Sequence, residues 1–151
     1  MEKKGQIYLI ATFVVISAIV GLAIVGNNIQ KEKGNEVVYE LRDELEIESE
    51  YVLDYISINN EDMETEIEQF AEDFSKSSEQ NEFYFVFGEG GELSSYKYTD
   101  GEKESFSHTV ADGKIKVNVE GTEYSFDLST GKNFYFVISN KDGDEKNIAT
   151  N

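Results

Sequence analysis

EFYFVFGEGGELSSYKY, residues 82–98, is where the chain changes period. Ahead of it, apolar residues recur every three or four positions. From Phe83 they run together or alternate. Phe83-Tyr84-Phe85-Val86-Phe87 is an unbroken aromatic and β-branched run, as in a strand buried on both faces or central in its sheet. Glu89-Gly90-Gly91-Glu92 then reads as a turn, and Leu93 to Tyr98 as the returning strand.

Toward the C-terminus, Asp100-Gly101 turns the chain again. Ser105 to Val110 reads as a short strand and Asp112-Gly113 as another turn. Ile115, Val117 and Val119 alternate with Lys114, Lys116 and Asn118. After Glu120-Gly121, Tyr124, Phe126 and Leu128 alternate with Glu123, Ser125 and Asp127. Strict alternation on both sides of a two-residue turn ending in Gly predicts a tight hairpin with one wet face. Ser129 to Lys132 turns the chain, Asn133 to Ser139 forms a last strand, and residues 140–151 read as a polar tail.

Toward the N-terminus the period is helical. Met63, Ile67, Phe70, Ala71 and Phe74 make one face of a helix from about Glu61 to Lys76, opened by Asn59-Asn60-Glu61-Asp62. Between Glu36 and Ile58, Val38, Leu41, Leu45, Val52, Tyr55 and Ile56 fall near one stripe. Glu48 and Ser49 interrupt that stripe, so a break near Glu46 to Glu50 into two short helices is expected.

Ile7 to Val25, IYLIATFVVISAIVGLAIV, holds 19 residues without a charge. As a helix it is about 28 Å long, near the thickness of a bilayer's hydrocarbon core. Lys3 and Lys4 precede it and Lys31 and Lys33 follow, so the basic residues closest to the span lie on its N-terminal side. That asymmetry predicts a cytoplasmic N-terminus and an extracytoplasmic C-terminal domain at the cell membrane. Four fates are compatible with the stretch: an uncleaved signal anchor, a signal peptide removed near Gly21-Leu22-Ala23, early processing at Gly5, or a buried helix of a soluble protein.

The expected fold class is therefore α+β. It has an N-terminal single transmembrane helix, then two or three amphipathic helices packed on an antiparallel sheet of about five strands. The expected divisions are an anchor at 1–26, a linker at 27–35, an extracytoplasmic domain at 36–139 and a tail at 140–151.

Composition narrows the chemistry. The 151 residues carry 31 acids and 13 bases, for a net charge of -18. Phosphate recognition needs Lys and Arg to displace counterions, so no nucleic-acid partner is expected. With no Cys, thiolate metal sites, iron–sulfur clusters and cysteine nucleophiles are out of reach. His108 is the one histidine, and a Ser-His-acid triad would rest on it alone. No G-x-S-x-G elbow is present, and Gly88-Glu89-Gly90-Gly91 lacks the Lys-Ser or Lys-Thr of a phosphate loop. Asn140, Asp142 and Asp144 alternate as the first ligands of a calcium loop do, but Glu145 stands where that loop needs Gly. Tyr96, Tyr98 and Tyr135 are candidates for the wetter face of the sheet, where an extended partner or glycan could lie. Neither a catalytic residue, a metal ligand nor a cofactor is assigned.

Lys3-Lys4-Gly5-Gln6, running straight into the apolar stretch, resembles the start of archaeal type IV pilin-like precursors, those with the class III signal. The resemblance implies a processing site at Lys4, Gly5 and Gln6, cut after Gly5 by a prepilin-type peptidase. Gln6 would then be the first mature residue, with the apolar helix retained as anchor or filament core. Tyr8 and Ile10 depart from the family, which often has a small polar residue and Glu there. Tyr84-Phe85-Val86-Phe87-Gly88 and Phe134-Tyr135-Phe136-Val137-Ile138-Ser139 resemble stretches of small, uncharacterised archaeal anchored proteins, a likeness that implies no activity.

The function expected is that of a non-enzymatic, single-pass membrane protein with an acidic extracytoplasmic domain, a pilin-like surface or assembly component. Its partners would be membrane lipid through residues 7–25, other copies of itself, and pilus or secretion machinery. The alternatives are a tethered module that binds a ligand or partner and, less favoured, an extracytoplasmic hydrolase with a carboxylate site.

Overall fold

Two strands with apolar side chains on both faces need a layer on each side, and that requirement organises the fold. The computed structural model describes residues 37–151 except 79, 143 and 144. Strands β1 (Asn81–Glu89) and β7 (Lys132–Asp142) pair antiparallel at the centre of a five-stranded sheet, with Phe85 opposite Phe136 and Phe83 opposite Ile138. β2 (Glu92–Thr99) and β3 (Glu102–Ser105) extend it on one side, and β8 (Glu145–Thr150) on the other. The order is β3-β2-β1-β7-β8.

On one face lie helix α1 (residues 37–59) and helix α2 (Met63–Ser77). Val38, Leu45 and Ile56 of α1 and Ile67, Ala71 and Phe74 of α2 pack on Phe83, Phe85, Phe87, Phe134, Phe136 and Ile138. The opposite face is covered by a second sheet of three strands, β4 (His108–Ala111), β5 (Lys114–Val119) and β6 (Thr122–Asp127). Ile115, Val117, Val119 and Phe126 meet Tyr84, Val86 and Val137 there. The layers are helices, five strands and three strands.

This corrects the expected fold class. Among the described residues there are eight strands in two sheets, not one sheet of about five. A helix layer can cover only one face of β1, and the alternating apolar residues of β5 and β6 need a facing partner; stacking the second sheet meets both needs. Among the described residues no helix is long and apolar enough to cross a membrane. Residues 7–25, to which the transmembrane expectation belongs, and the 27–35 linker lie outside the described residues.

Two further expectations change. The C-terminal residues are not a polar tail, because β8 pairs along β7 from Val137↔Thr150 to Asp142↔Glu145. And α1 does not break at Glu46 to Glu50. Ser49 occupies the core-facing position at only 4% exposure, with its hydroxyl donated back to the Glu46 carbonyl at 2.9 Å. A satisfied hydroxyl can sit on a buried stripe, so the helix runs through.

Turn chemistry fixes the registers. Asp100-Gly101, Asp112-Gly113 and Glu120-Gly121 each place both residues at positive φ. That is the type I′ geometry that matches strand twist. α1 ends with Asn60 at φ 54 and the Glu61 amide donating to the Ile56 carbonyl at 3.2 Å, a Schellman closure. α2 opens on Asp62, which accepts from the Thr65 amide at 2.8 Å.

Candidate functional site

The joint between α1 and α2 sits over the β1–β2 turn, and an open groove of about 840 Å³ lies between them. Gly88 forms part of its floor. With φ at +149 and a Cβ position only 2.0 Å from the Glu92 carbonyl oxygen, no side chain fits there. Asn133, 1% exposed, braces the neighbouring loop: its amide nitrogen donates to the carbonyls of Gly90, Ser129 and Gly131, and its oxygen accepts from the Ser129 amide.

The groove's rim is acidic, with Glu61, Asp62, Glu64, Glu89 and Glu92. Lys132 also lines it and donates to Ser57 Oγ at 2.6 Å. Two of the carboxylates serve the fold. Asp62 caps α2, and the Thr65 amide and hydroxyl hold its carboxyl below the usual range, the wrong direction for a general acid. Glu64 accepts from Ser94 Oγ at 3.0 Å and from the Tyr96 hydroxyl at 3.2 Å, tying α2 to β2. Next along α2, Glu68 binds Lys103 at 2.8 Å, and Lys103 lies over the Tyr96 ring. Among the described residues no group of three or more His, Asp or Glu is placed to hold a metal ion.

His108 begins β4, and its Nδ1 lies 2.9 Å from Ser95 Oγ. Ser95 Oγ itself donates to the Phe106 carbonyl at 2.6 Å. With the hydroxyl proton so engaged, Nδ1 is the donor to Ser95, so the imidazole is not poised to deprotonate it. Burial pushes the His108 pKa below its ordinary value. The pair pins β4 of one sheet against β2 of the other.

The three tyrosines expected on one wet face are divided. Tyr98 is 1% exposed under the helices, edge-on to Phe85, and burial pushes its pKa up. Tyr96 packs partly buried against the same core. Tyr135 points the other way, stacked on Phe126, with its hydroxyl donated to the Asp127 carbonyl. Asn140 is held by the Gln80 carbonyl and Asn81 Oδ1, on a strand and not in a loop. The processing residues Lys4, Gly5 and Gln6 lie outside the described residues.

One feature was not read from the sequence. α1 carries a second apolar stripe, Ile47, Tyr51, Tyr55 and Ile58, on a face turned from the sheet. Tyr55, expected on the core stripe with Val52 and Ile56, is 49% exposed and belongs to this stripe instead. Spacings of four, four and three were the available signal. The chain matches no family model, no curated protein and no solved structure.

Proposed function

We propose that this protein is a single-pass, membrane-anchored component whose acidic domain lies outside the cytoplasm and works in surface assembly, in the manner of a pilin-like subunit, without catalysing a reaction. The observation that carries this reading is the juxtaposition of Lys4-Gly5-Gln6 with the uncharged stretch Ile7 to Val25. A second reading, a tethered binding module, is favoured by the outward apolar stripe of α1.

Mass spectrometry of the mature N-terminus, on protein recovered from membranes of its own host, tests the first reading. Gln6 or its cyclised form at the start is the expected result. Met1 retained sinks pilin-type processing and leaves the tethered module. A start beyond Ala23 removes the anchor and overturns both. Gly5→Ala is expected to abolish processing and, with it, assembly.

A further inference from the structure

α1 has two apolar stripes and only one is used by the core. Ile47, Tyr51, Tyr55 and Ile58 share the other face and are 56%, 72%, 49% and 82% exposed. Tyr51 and Tyr55 form one side of a hollow of about 330 Å³ between the helices, with Val52 and Phe70 among its apolar lining. The hollow is a shallow trough with an apolar bed.

Its margins are acidic on both sides. Glu66 and Asp73 of α2 line the far wall. On α1, helical spacing places the exposed Glu44 and Glu48 on the flank of the stripe toward Val52 and the hollow, and Glu50 and Asp54 on its outer flank. The bases in these helices are Arg42 and Lys76, both engaged in ion pairs, with Asp43 and Glu72. A trough between two helices accepts a third helix through apolar residues at i, i+3 or i+4, and i+7. Acidic walls select that helix for Lys and Arg beside its apolar face. A second copy of this face, an anionic lipid surface or a nucleic acid would each set negative charge against negative charge.

We infer that the α1–α2 face is a docking surface for a basic amphipathic helix of a partner protein. This rests on the reading of the anchored domain as one that works through partners, and it names the partner's chemistry.

The test uses the full chain in phosphatidylcholine nanodiscs. The probe is a fluorescent model helix with Leu at its a and d positions and Lys elsewhere, with empty discs as the blank. Saturable binding that weakens with salt is expected, at least about tenfold weaker in Tyr51→Ser/Tyr55→Ser. Should that variant lose its circular dichroism, Ile47→Ser/Ile58→Ser, at the exposed ends of the stripe, takes its place with the same expectation.

Equal binding by wild type and a folded stripe variant means charge attraction alone and overturns the proposal. So does equal binding of a probe with Glu in place of Lys, or the absence of saturable binding. Self-association lost in the stripe variant assigns the face to a second copy and overturns it too. Probe binding with Met1 retained sinks only the pilin reading, and processing at Gly5 without probe binding sinks only the docking surface.

Discussion

Tyr84 and Phe85 are neighbours in the chain and are buried in different cores. Phe85, fully inaccessible, lies against Tyr98 and Phe134 under the helices. Tyr84 meets Phe106 on the opposite face, with its hydroxyl donated to Glu82 at 2.7 Å. β1 is thus the shared wall of two apolar layers, and each layer makes its own contribution to stability.

Both cores are therefore expected to be costly to disturb. Phe85→Ala is expected to lower the unfolding free energy by about 3–5 kcal/mol, and Ile115→Ala, in the other core, by about 2–5 kcal/mol. Urea unfolding of the full chain in non-ionic detergent measures both. A loss below about 0.5 kcal/mol for Ile115→Ala, normal for a surface position, would contradict the stacking of the second sheet.

Much of the β structure is written locally. Glu120-Gly121 sits between two alternating runs, and Val119 indeed faces Thr122 across it. The second sheet was not legible in the same way. Alternation in Ile115, Val117 and Val119 says that one face is buried but not what buries it, and the switch of sheets at Phe106-Ser107 leaves no periodic mark. A run apolar on both faces, Phe83 to Phe87, held the missing constraint, since helices cover only one side of it. Ser49 misled for a different reason. A pattern of residue types cannot display a hydroxyl bonded to its own helix. The candidate surface was half legible: the acids were plain, but Tyr55 was assigned to the wrong stripe because both stripes pass within one residue of each other at Tyr55-Ile56.

Continuity of α1 can be tested at Glu48, which is exposed and lies within the helix. Proline there removes a helix hydrogen bond and clashes with the preceding turn. Glu48→Pro is expected to cost about 3 kcal/mol, with Glu48→Ala as the control for the lost charge. A cost near that of the control would restore the broken helix.

Glycine is required unequally at the turns. An alanine at Gly88 would place Cβ 2.0 Å from the Glu92 carbonyl, whereas at Gly113 nothing lies within 4 Å and only the φ of +71 opposes it. Gly113→Ala is expected to cost about 1–2 kcal/mol and Gly88→Ala clearly more, because backbone must move as well. Thermal unfolding ranks them, and the reverse order would rule out the close approach at the groove floor.

The pH profile should carry the mark of His108. Burial lowers its folded pKa from 6.5, so the unfolded chain takes up the proton first as the solution is acidified. The contribution is then present in full above the unfolded value and is lost as pH falls from 6.5 through the folded pKa. Asp62, also depressed in the fold, adds a loss of the same sign below its ordinary 3.8. Protonation of the many surface acids relieves repulsion and works the other way, so the profile of the wild type alone does not isolate the histidine. The difference between wild type and His108→Gln does. It should shrink as pH drops from 7 to 5 and stay level above 7. A difference that grows on acidification would mean that the imidazolium is stabilised in the fold, which is incompatible with a half-buried ring whose charge is disfavoured by desolvation.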